Sequence, residues 1–417
     1  MRPTSEKAKS ASKVSSRGSL GERVPRLRFP GFEGAWESKI FGNVFDFIGN
    51  NTLSRSELTY SRGKVRNIHY GDILVKFGDI IDFGNEEVPY IANQQRAVAE
   101  RRLRDGDVII ADTAEDETVG KASEIYGLCD VEAEAGLHTM ACRPLQKFAP
   151  RFIGHYLNTP AYHRLLLPLM QGIKVLSLSK SQIAKTKVCV PRSESEQAKI
   201  ASFLSLIDCR ITAQRRLVEL LKKQKRGLLR EVFEEKIEGD CYSFSEVACR
   251  RNEKIAPTKD SRLDCIELEH IEPETGMLLG SVPLSGQNSL KNLCKPSDIV
   301  FGKLRPYLRK FVFAENKCAV SSETWVLTAA YGIYPKFLFY LIQSEPFMRA
   351  ASVSSGTKMP RSEWSNVANA KFYIPDAKQQ VAIADCFSKV DCRIQQSQRT
   401  LVAMETYKRG LLQQLFV

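Results

Sequence analysis

A chain of 417 residues is too long for one ordinary domain of roughly 100–200 residues. Hydrophobic residues make up 43% and charged residues 26%, and Lys+Arg exceed Asp+Glu by 13. Such a balance supports real cores and suits a polyanionic partner, while no apolar run approaches the ~18 residues of a membrane-spanning helix. The 11 cysteines are scattered without a C-x-x-C pair, and only five histidines are present. Neither a zinc site nor a disulfide framework is expected, and free thiols suit a reducing cytoplasm.

In chain order, residues 1–28 carry eight Lys/Arg against Glu6 and Glu22 in a Ser-rich stretch. This composition predicts a disordered basic tail, and it lacks the apolar core of a signal peptide. Residues 29–191 form a first mixed module. Its apolar runs at 73–75 and 108–110 read as strands, and 151–170 reads as short amphipathic helices. Residues 192–236 read as one long helix. Residues 237–375 form a second mixed module, with strands expected at 299–301 and 311–313 and a helix over 335–350. Residues 376–417 read as a second long helix.

The two halves repeat each other. DCRITAQRRLVELLKKQKRGLLREVF (208–233) aligns with DCRIQQSQRTLVAMETYKRGLLQQLF (391–416) at a constant offset of 183, with 11 of 26 positions identical. Apolar residues recur at alternating steps of four and three, the a/d seam of a coiled coil. In the first helix these are Ile200, Leu204, Ile207, Ile211, Val218, Leu221 and Leu228. In the second they are Ile383, Phe387, Val390, Ile394, Leu401, Met404 and Leu411. Both seams break at matching points, Gln214/Ser397 and Lys225/Lys408. Two such helices pack most simply against each other, and about 40 helical residues reach roughly 60 Å. Upstream, FGNVFDF (41–47) matches FSEVACR (244–250), and PRFIGHYLNT (150–159) matches PKFLFYLIQS (335–344). The first module holds about 20 extra residues, expected within 48–105.

Catalytic signatures are absent. There is no G-x-x-x-x-G-K-[ST] and no G-x-G-x-x-G. The Asn158-Thr159-Pro160-Ala161-Tyr162 run reads as a helix end, and Glu234-Glu235-Lys236 as a solvated charge cluster. What remains is cationic loops, whose Lys and Arg can neutralise phosphates or engage guanine edges. The candidates are Lys174 and Lys180 in the first module's 172–187 loop, with Lys358 and Arg361 in its counterpart. Lys303, Arg305 and Arg309 form a further cluster, as do Arg62, Lys64 and Arg66.

The plan of module, helix, module, helix resembles the specificity (S) subunit of type I restriction–modification systems. The motifs RFPGFEGAWESKIFGNV (28–44) and VPRSESEQAKIASFLSLID (190–208), with the two KRGLL helix ends, carry the likeness. The resemblance implies a mixed α/β fold with two similar target-recognition domains, separated by two long helices forming an antiparallel coiled coil, related by a pseudo-twofold. It implies a non-catalytic protein that reads a bipartite site in double-stranded DNA. The implied partners are two methyltransferase (M) subunits and endonuclease/translocase (R) subunits, without a membrane. S-adenosylmethionine, ATP and magnesium would belong to those partners, so no cofactor or metal is expected on this chain. The basic extension before Arg26 is not required by the shared motifs.

Overall fold

The computed structural model describes residues 23–353 and 359–417. The chain divides into two compact units, residues 1–210 with 404–417, and residues 211–403. Both divisions fall inside the two long helices, Glu194–Arg230 and Ala377–Leu415.

In the first unit, a five-stranded sheet runs in the order Phe45–Ile48, Thr139–Pro144, Val108–Ala111, Ala122–Tyr126, Ile80–Asp82. Its central strand, Val-Ile-Ile-Ala, is buried at every position, as expected of a strand packed on both faces. The helices Phe152–Leu157 and Pro160–Leu166 follow, and Lys187–Val190 returns antiparallel to Glu37–Ile40. Asn158 and Thr159 stand between the two helices, and Thr159 caps the second. A separate four-stranded sheet joins Glu132–Ala135, Val65–Ile68, Tyr90–Ile91 and Leu58–Thr59.

The second unit builds the same frame with different residues. Ala248–Arg250, Thr324–Ala329, Ile299–Gly302 and Phe311–Phe313 form a four-stranded sheet beside a separate five-stranded one, and helices Pro335–Leu341 and Glu345–Ser352 follow. Lys371–Ile374 pairs antiparallel with Asp240–Ser243. The registers agree: Ala111 faces Thr139 in one unit, and Gly302 faces Thr324 in the other.

Three expectations change. Residues 73–75 are the end of a helix, Tyr70–Val75, whose first turn is capped by His69 Nδ1 accepting from the Gly71 N–H at 3.2 Å. Ile73 is buried while Val75 is 87% exposed, so the run has no common buried face. The first module's surplus lies on both sides of its central strand. The offset between matching residues falls from 203 (Phe41 to Phe244) to 191 (Val108 to Ile299) and then 185 (Thr139 to Thr324). Residues 23–28 belong to the fold and not to a tail, whereas 1–22 lie outside the described residues. Leu27 N–H donates to the Gln414 carbonyl at 2.9 Å, and Trp36 N–H to the Arg23 carbonyl at 2.8 Å. Arg28 forks onto both Glu196 oxygens at 2.8 Å, Phe29 meets Phe203 edge-on, and Trp36 meets Phe416 edge-on. The 28–36 motif thus fastens the chain onto the two helix ends in this unit.

Each long helix starts on a side-chain cap. Ser193 Oγ accepts from the Glu196 N–H at 3.3 Å, and Asp376 Oδ1 from the Gln379 N–H at 2.8 Å. Buried glutamines repeat one device at both starts. Gln197 accepts from Ala149 N–H and donates to the Pro191 carbonyl, and Gln380 does the same with Tyr334 and Pro375. All fourteen expected apolar seam residues are buried or half-buried. Towards the helix ends the apolar face broadens: Leu229 and Phe233 enter the core of the second unit, and Leu412 and Phe416 that of the first.

The seam breaks are paired charges. In the second unit, Lys225 Nζ lies 2.7 Å from Asp391 and 5.6 Å from the Tyr340 ring centroid, and Gln214 Nε2 donates to the Ser397 carbonyl at 2.9 Å. As the first helix's numbers fall, the second's rise, so the segments run antiparallel. In the first unit, Lys408 Nζ lies 2.7 Å from Asp208 and 2.8 Å from Asp79. Burial depresses the pKa of Lys225 and neither Asp391 nor the field of Glu274 restores it, whereas Asp79 and Asp208 raise that of Lys408 despite its burial.

Glu124 anchors the helix Phe152–Leu157 to the sheet, accepting from the N–H groups of Arg151 (2.6 Å) and Gly154 (2.8 Å). Burial outweighs these bonds and pushes its pKa up to about 7.

Two outcomes follow from these buried charges. Lys225→Met leaves Asp391 without its partner and should cost about 3–5 kcal/mol, read as a lowered urea midpoint; Lys225→Met with Asp391→Leu should recover most of it. Because the folded pKa of Glu124 is raised above its unfolded value, its contribution to stability falls as pH rises between about 4.5 and 7. Glu124→Gln should flatten that segment of the stability–pH curve by about 3 kcal/mol, measured by urea unfolding across the range.

Candidate nucleic-acid interface

In both units the loop leaving the central strand is clipped by main-chain hydrogen bonds to the segment that follows the paired helices. In the second unit the loop 303–310 joins Ile299–Gly302 to Phe311–Phe313. The Lys303 N–H donates to the Glu323 carbonyl (3.0 Å), Arg305 N–H to the Pro360 carbonyl (2.8 Å), and Ser362 N–H to the Lys303 carbonyl (2.8 Å). In the first unit the loop 112–121 joins Val108–Ala111 to Ala122–Tyr126. Thr113–Ala114 pairs antiparallel with Leu176–Ser177, and Leu178 N–H donates to the Asp112 carbonyl at 2.9 Å.

These clips decide which expected cations come together. Lys303, Arg305 and Arg361 share one surface of the second unit. Arg361 is exposed and forks onto Glu323 at 3.0 and 3.3 Å, which raises its pKa and lowers that of the carboxylate. Lys358 lies outside the described residues. Arg309 is half-buried and turned inward, bonded to Glu345 and to the Gln343 carbonyl (3.4 Å). In the first unit, Lys174 and Lys180 are exposed on the segment clipped to 112–114. Lys180 begins the helix Lys180–Ile183 and lies 5.8 Å from the Phe47 ring centroid. Arg62, Lys64 and Arg66 belong to the other sheet: Arg62 and Lys64 are exposed, whereas Arg66 lies between the rings of Tyr90 (5.1 Å) and Phe83 (5.9 Å).

Sequence reasoning missed that the first unit's loop is acidic. Asp112, Glu115, Asp116 and Glu117 occupy the frame position that Lys303, Arg305, Arg309 and Lys310 hold in the second. The matched strand ends, Ala111 and Gly302, were the signal that could have aligned them.

One cluster has a donor set that suits a divalent cation: Asp79, His155 and Asp208, with ligand atoms within 4.8 Å of one another. The Lys408 ammonium already bridges both carboxylates. Burial alone would raise the Asp79 pKa, but the His155 hydrogen bond (3.0 Å) and Lys408 hold it at about 2. The charge a metal would supply is thus present as lysine.

The chain thus carries a duplicated α/β frame on long helices, with differing loops clipped to the same place. Residues 256–404 match the family model of the type I restriction modification DNA specificity domain. The chain is 22% identical over 204 residues to a Methanocaldococcus jannaschii protein provisionally named the type I restriction enzyme MjaX specificity subunit; the match spans 48% of this chain and 45% of that relative. Its fold is similar to the crystal structure of the type I restriction–modification S subunit from M. genitalium, with a TM-score of 0.55 at 14% identity, covering 94% of this chain and 99% of that one. It is also similar to a chain from a structure concerned with complex assembly and conformational transition of a type I R-M system, with a TM-score of 0.53 at 15% identity, covering 93% and 98%. The sequence match to the family model thus lies in the second half of the chain, the relative is matched over less than half of its length, and the likeness of fold extends over nearly the whole chain. Among the described residues no helix is long and apolar enough to cross a membrane.

Lys174→Ala and Lys180→Ala should each weaken DNA binding about equally on all sequences and lower the salt slope by about 1. Arg66→Ala and Arg309→Ala should lower thermal stability and leave that slope unchanged. Fluorescence anisotropy titrations at several salt concentrations, beside thermal melts, separate the two groups.

Proposed function

We propose that this chain is the DNA-recognition subunit of a type I restriction–modification complex, reading a bipartite target in double-stranded DNA with one half-site per module. The observation that carries this reading is the frame built twice with chemically different loops clipped to the same place. One frame suits one kind of polymer, and different loops suit different sequences on it. The module boundaries proposed are 29–191 and 237–375, with 192–236 and 376–417 as the spacer helices. These helices, paired as an antiparallel coiled coil, relate the modules by a pseudo-twofold and set the gap between half-sites. A molecule with two similar faces recruits two copies of one partner, here two methyltransferase subunits, to which endonuclease/translocase subunits add. The chain works in the cytoplasm and performs no catalysis itself; S-adenosylmethionine, ATP and magnesium serve the partner subunits.

Co-expression with the methyltransferase, followed by genome-wide mapping of methylated adenines, tests this. The expected result is one split motif with a fixed gap. Methylation at an undivided motif, or at random, overturns it.

A further inference from the structure

We propose that the turn 303–310 of the second unit is a base-reading element in which Arg305 recognises a guanine from the major groove, with Tyr307 packed against the adjoining base edge. The inference deepens the preceding reading and rests on it.

The argument begins with the backbone. Arg305 and Arg309 both occupy the left-handed region, at φ +50° and +51°, flanking the short 3-10 turn Pro306–Leu308. Glycine or asparagine sits there at least cost, and an arginine is strained. For Arg309 the fold supplies a reason, since its guanidinium reaches Glu345 and the Gln343 carbonyl. Lys310 Nζ is likewise used inside, donating to the Leu268 carbonyl at 2.6 Å. Arg305 differs. Its side chain is exposed and makes no hydrogen bond or ion pair among the described residues. The strain is therefore kept for a side chain that does nothing for the fold.

The turn is also held still. Pro306 is buried, Gly302 N–H donates to the Lys310 carbonyl (2.8 Å), Arg305 N–H to the Pro360 carbonyl (2.8 Å), and Glu274 N–H to the Arg309 carbonyl (2.9 Å). At its apex Tyr307 is 59% exposed, beside Leu308. A phosphate can be met by a flexible lysine, whereas a planar fork on a fixed stem suits the paired O6 and N7 acceptors of guanine. The equivalent first-unit loop carries Asp112, Glu115, Asp116 and Glu117 and no arginine. Guanine reading by this device therefore belongs to the second unit's half-site alone.

The test uses the full chain assembled with its methyltransferase subunits. The probes are duplexes carrying the mapped motif, each with one base pair changed. Arg305→Gly removes the side chain and suits the left-handed backbone, so its melting temperature should hold or rise. Its affinity for the native site should fall about 10- to 100-fold. The penalty for replacing one G·C pair in one half-site should vanish, with every penalty in the other half-site unchanged. Tyr307→Ala should relax the neighbouring position. An equal loss on all duplexes with a shallower salt dependence would assign Arg305 to a phosphate and overturn the proposal. So would unchanged base preferences in Arg305→Gly while the wild-type protein selects its split motif. A wild-type assembly that selects no split motif overturns the underlying reading and this one with it.

Discussion

A lysine buried in a helix seam and answered by an aspartate of the other helix is the constraint on which the rest of this structure depends. An ammonium removed from water without a counter-charge costs several kcal/mol. The nearest seam positions on either side of Lys225 and Lys408 are apolar, so a shifted register would part each lysine from its aspartate. Asp391 answers Lys225 in one unit, and Asp208 answers Lys408 in the other. Lysine and aspartate both belong to the repeated segment, so a single duplicated sequence supplies both pairs. Apolar heptads alone tolerate slippage; a buried charge that must find its partner does not.

Register then decides what the helix ends do. With the lysines paired, Leu229 and Phe233 point into one core, and Leu412 and Phe416 into the other. Phe233 packs on Phe337 and Phe387, and Phe416 on Trp36, Phe152 and Tyr156. The KRGLL repeat is thus a lysine for register followed by leucines for anchoring. The surroundings of the two lysines are not copies. His155 and Tyr340 occupy the same slot, each within reach of a matching serine, Ser205 at 3.3 Å and Ser388 at 3.2 Å. Asp79 joins only the first. The common requirement is a carboxylate against the ammonium, and the remainder of the shell has been free to change.

The repeat, both long helices and their seam were legible in the sequence because each rests on a period long enough to count, whereas the strands at 108–111, 299–302 and 311–313 were read from short apolar runs alone. The run at 73–75 was not, since three apolar residues have no period. The seam breaks at Lys225 and Lys408 were visible, but heptad spacing does not name a partner on the other helix, although Asp208 and Asp391 stand in the same repeat. Counting cations failed for a different reason. Whether an arginine is free depends on a carboxylate brought close by the fold, and Glu345 and Glu323 lie 36 and 38 residues from Arg309 and Arg361. Arg66 likewise required two aromatic rings that only the sheet assembles.

The loops show why one frame can carry opposite surface charge. The clips that tie them to the segment after the paired helices run between main-chain groups: Arg305 N–H to the Pro360 carbonyl and Ser362 N–H to that of Lys303 in one unit, and Leu178 N–H to the Asp112 carbonyl in the other. A main-chain hydrogen bond is indifferent to the side chain it passes. The segment can therefore read Asp-Thr-Ala-Glu-Asp-Glu in one unit and Lys-Leu-Arg-Pro-Tyr-Leu-Arg-Lys in the other without losing its hold on the sheet. Side chains on such a loop are released from structural duty, apart from those, such as Arg309, that turn inward to close it. Chemical variation can then accumulate on the outward side chains, while the buried frame, whose packing tolerates little change of volume, stays the same in both halves.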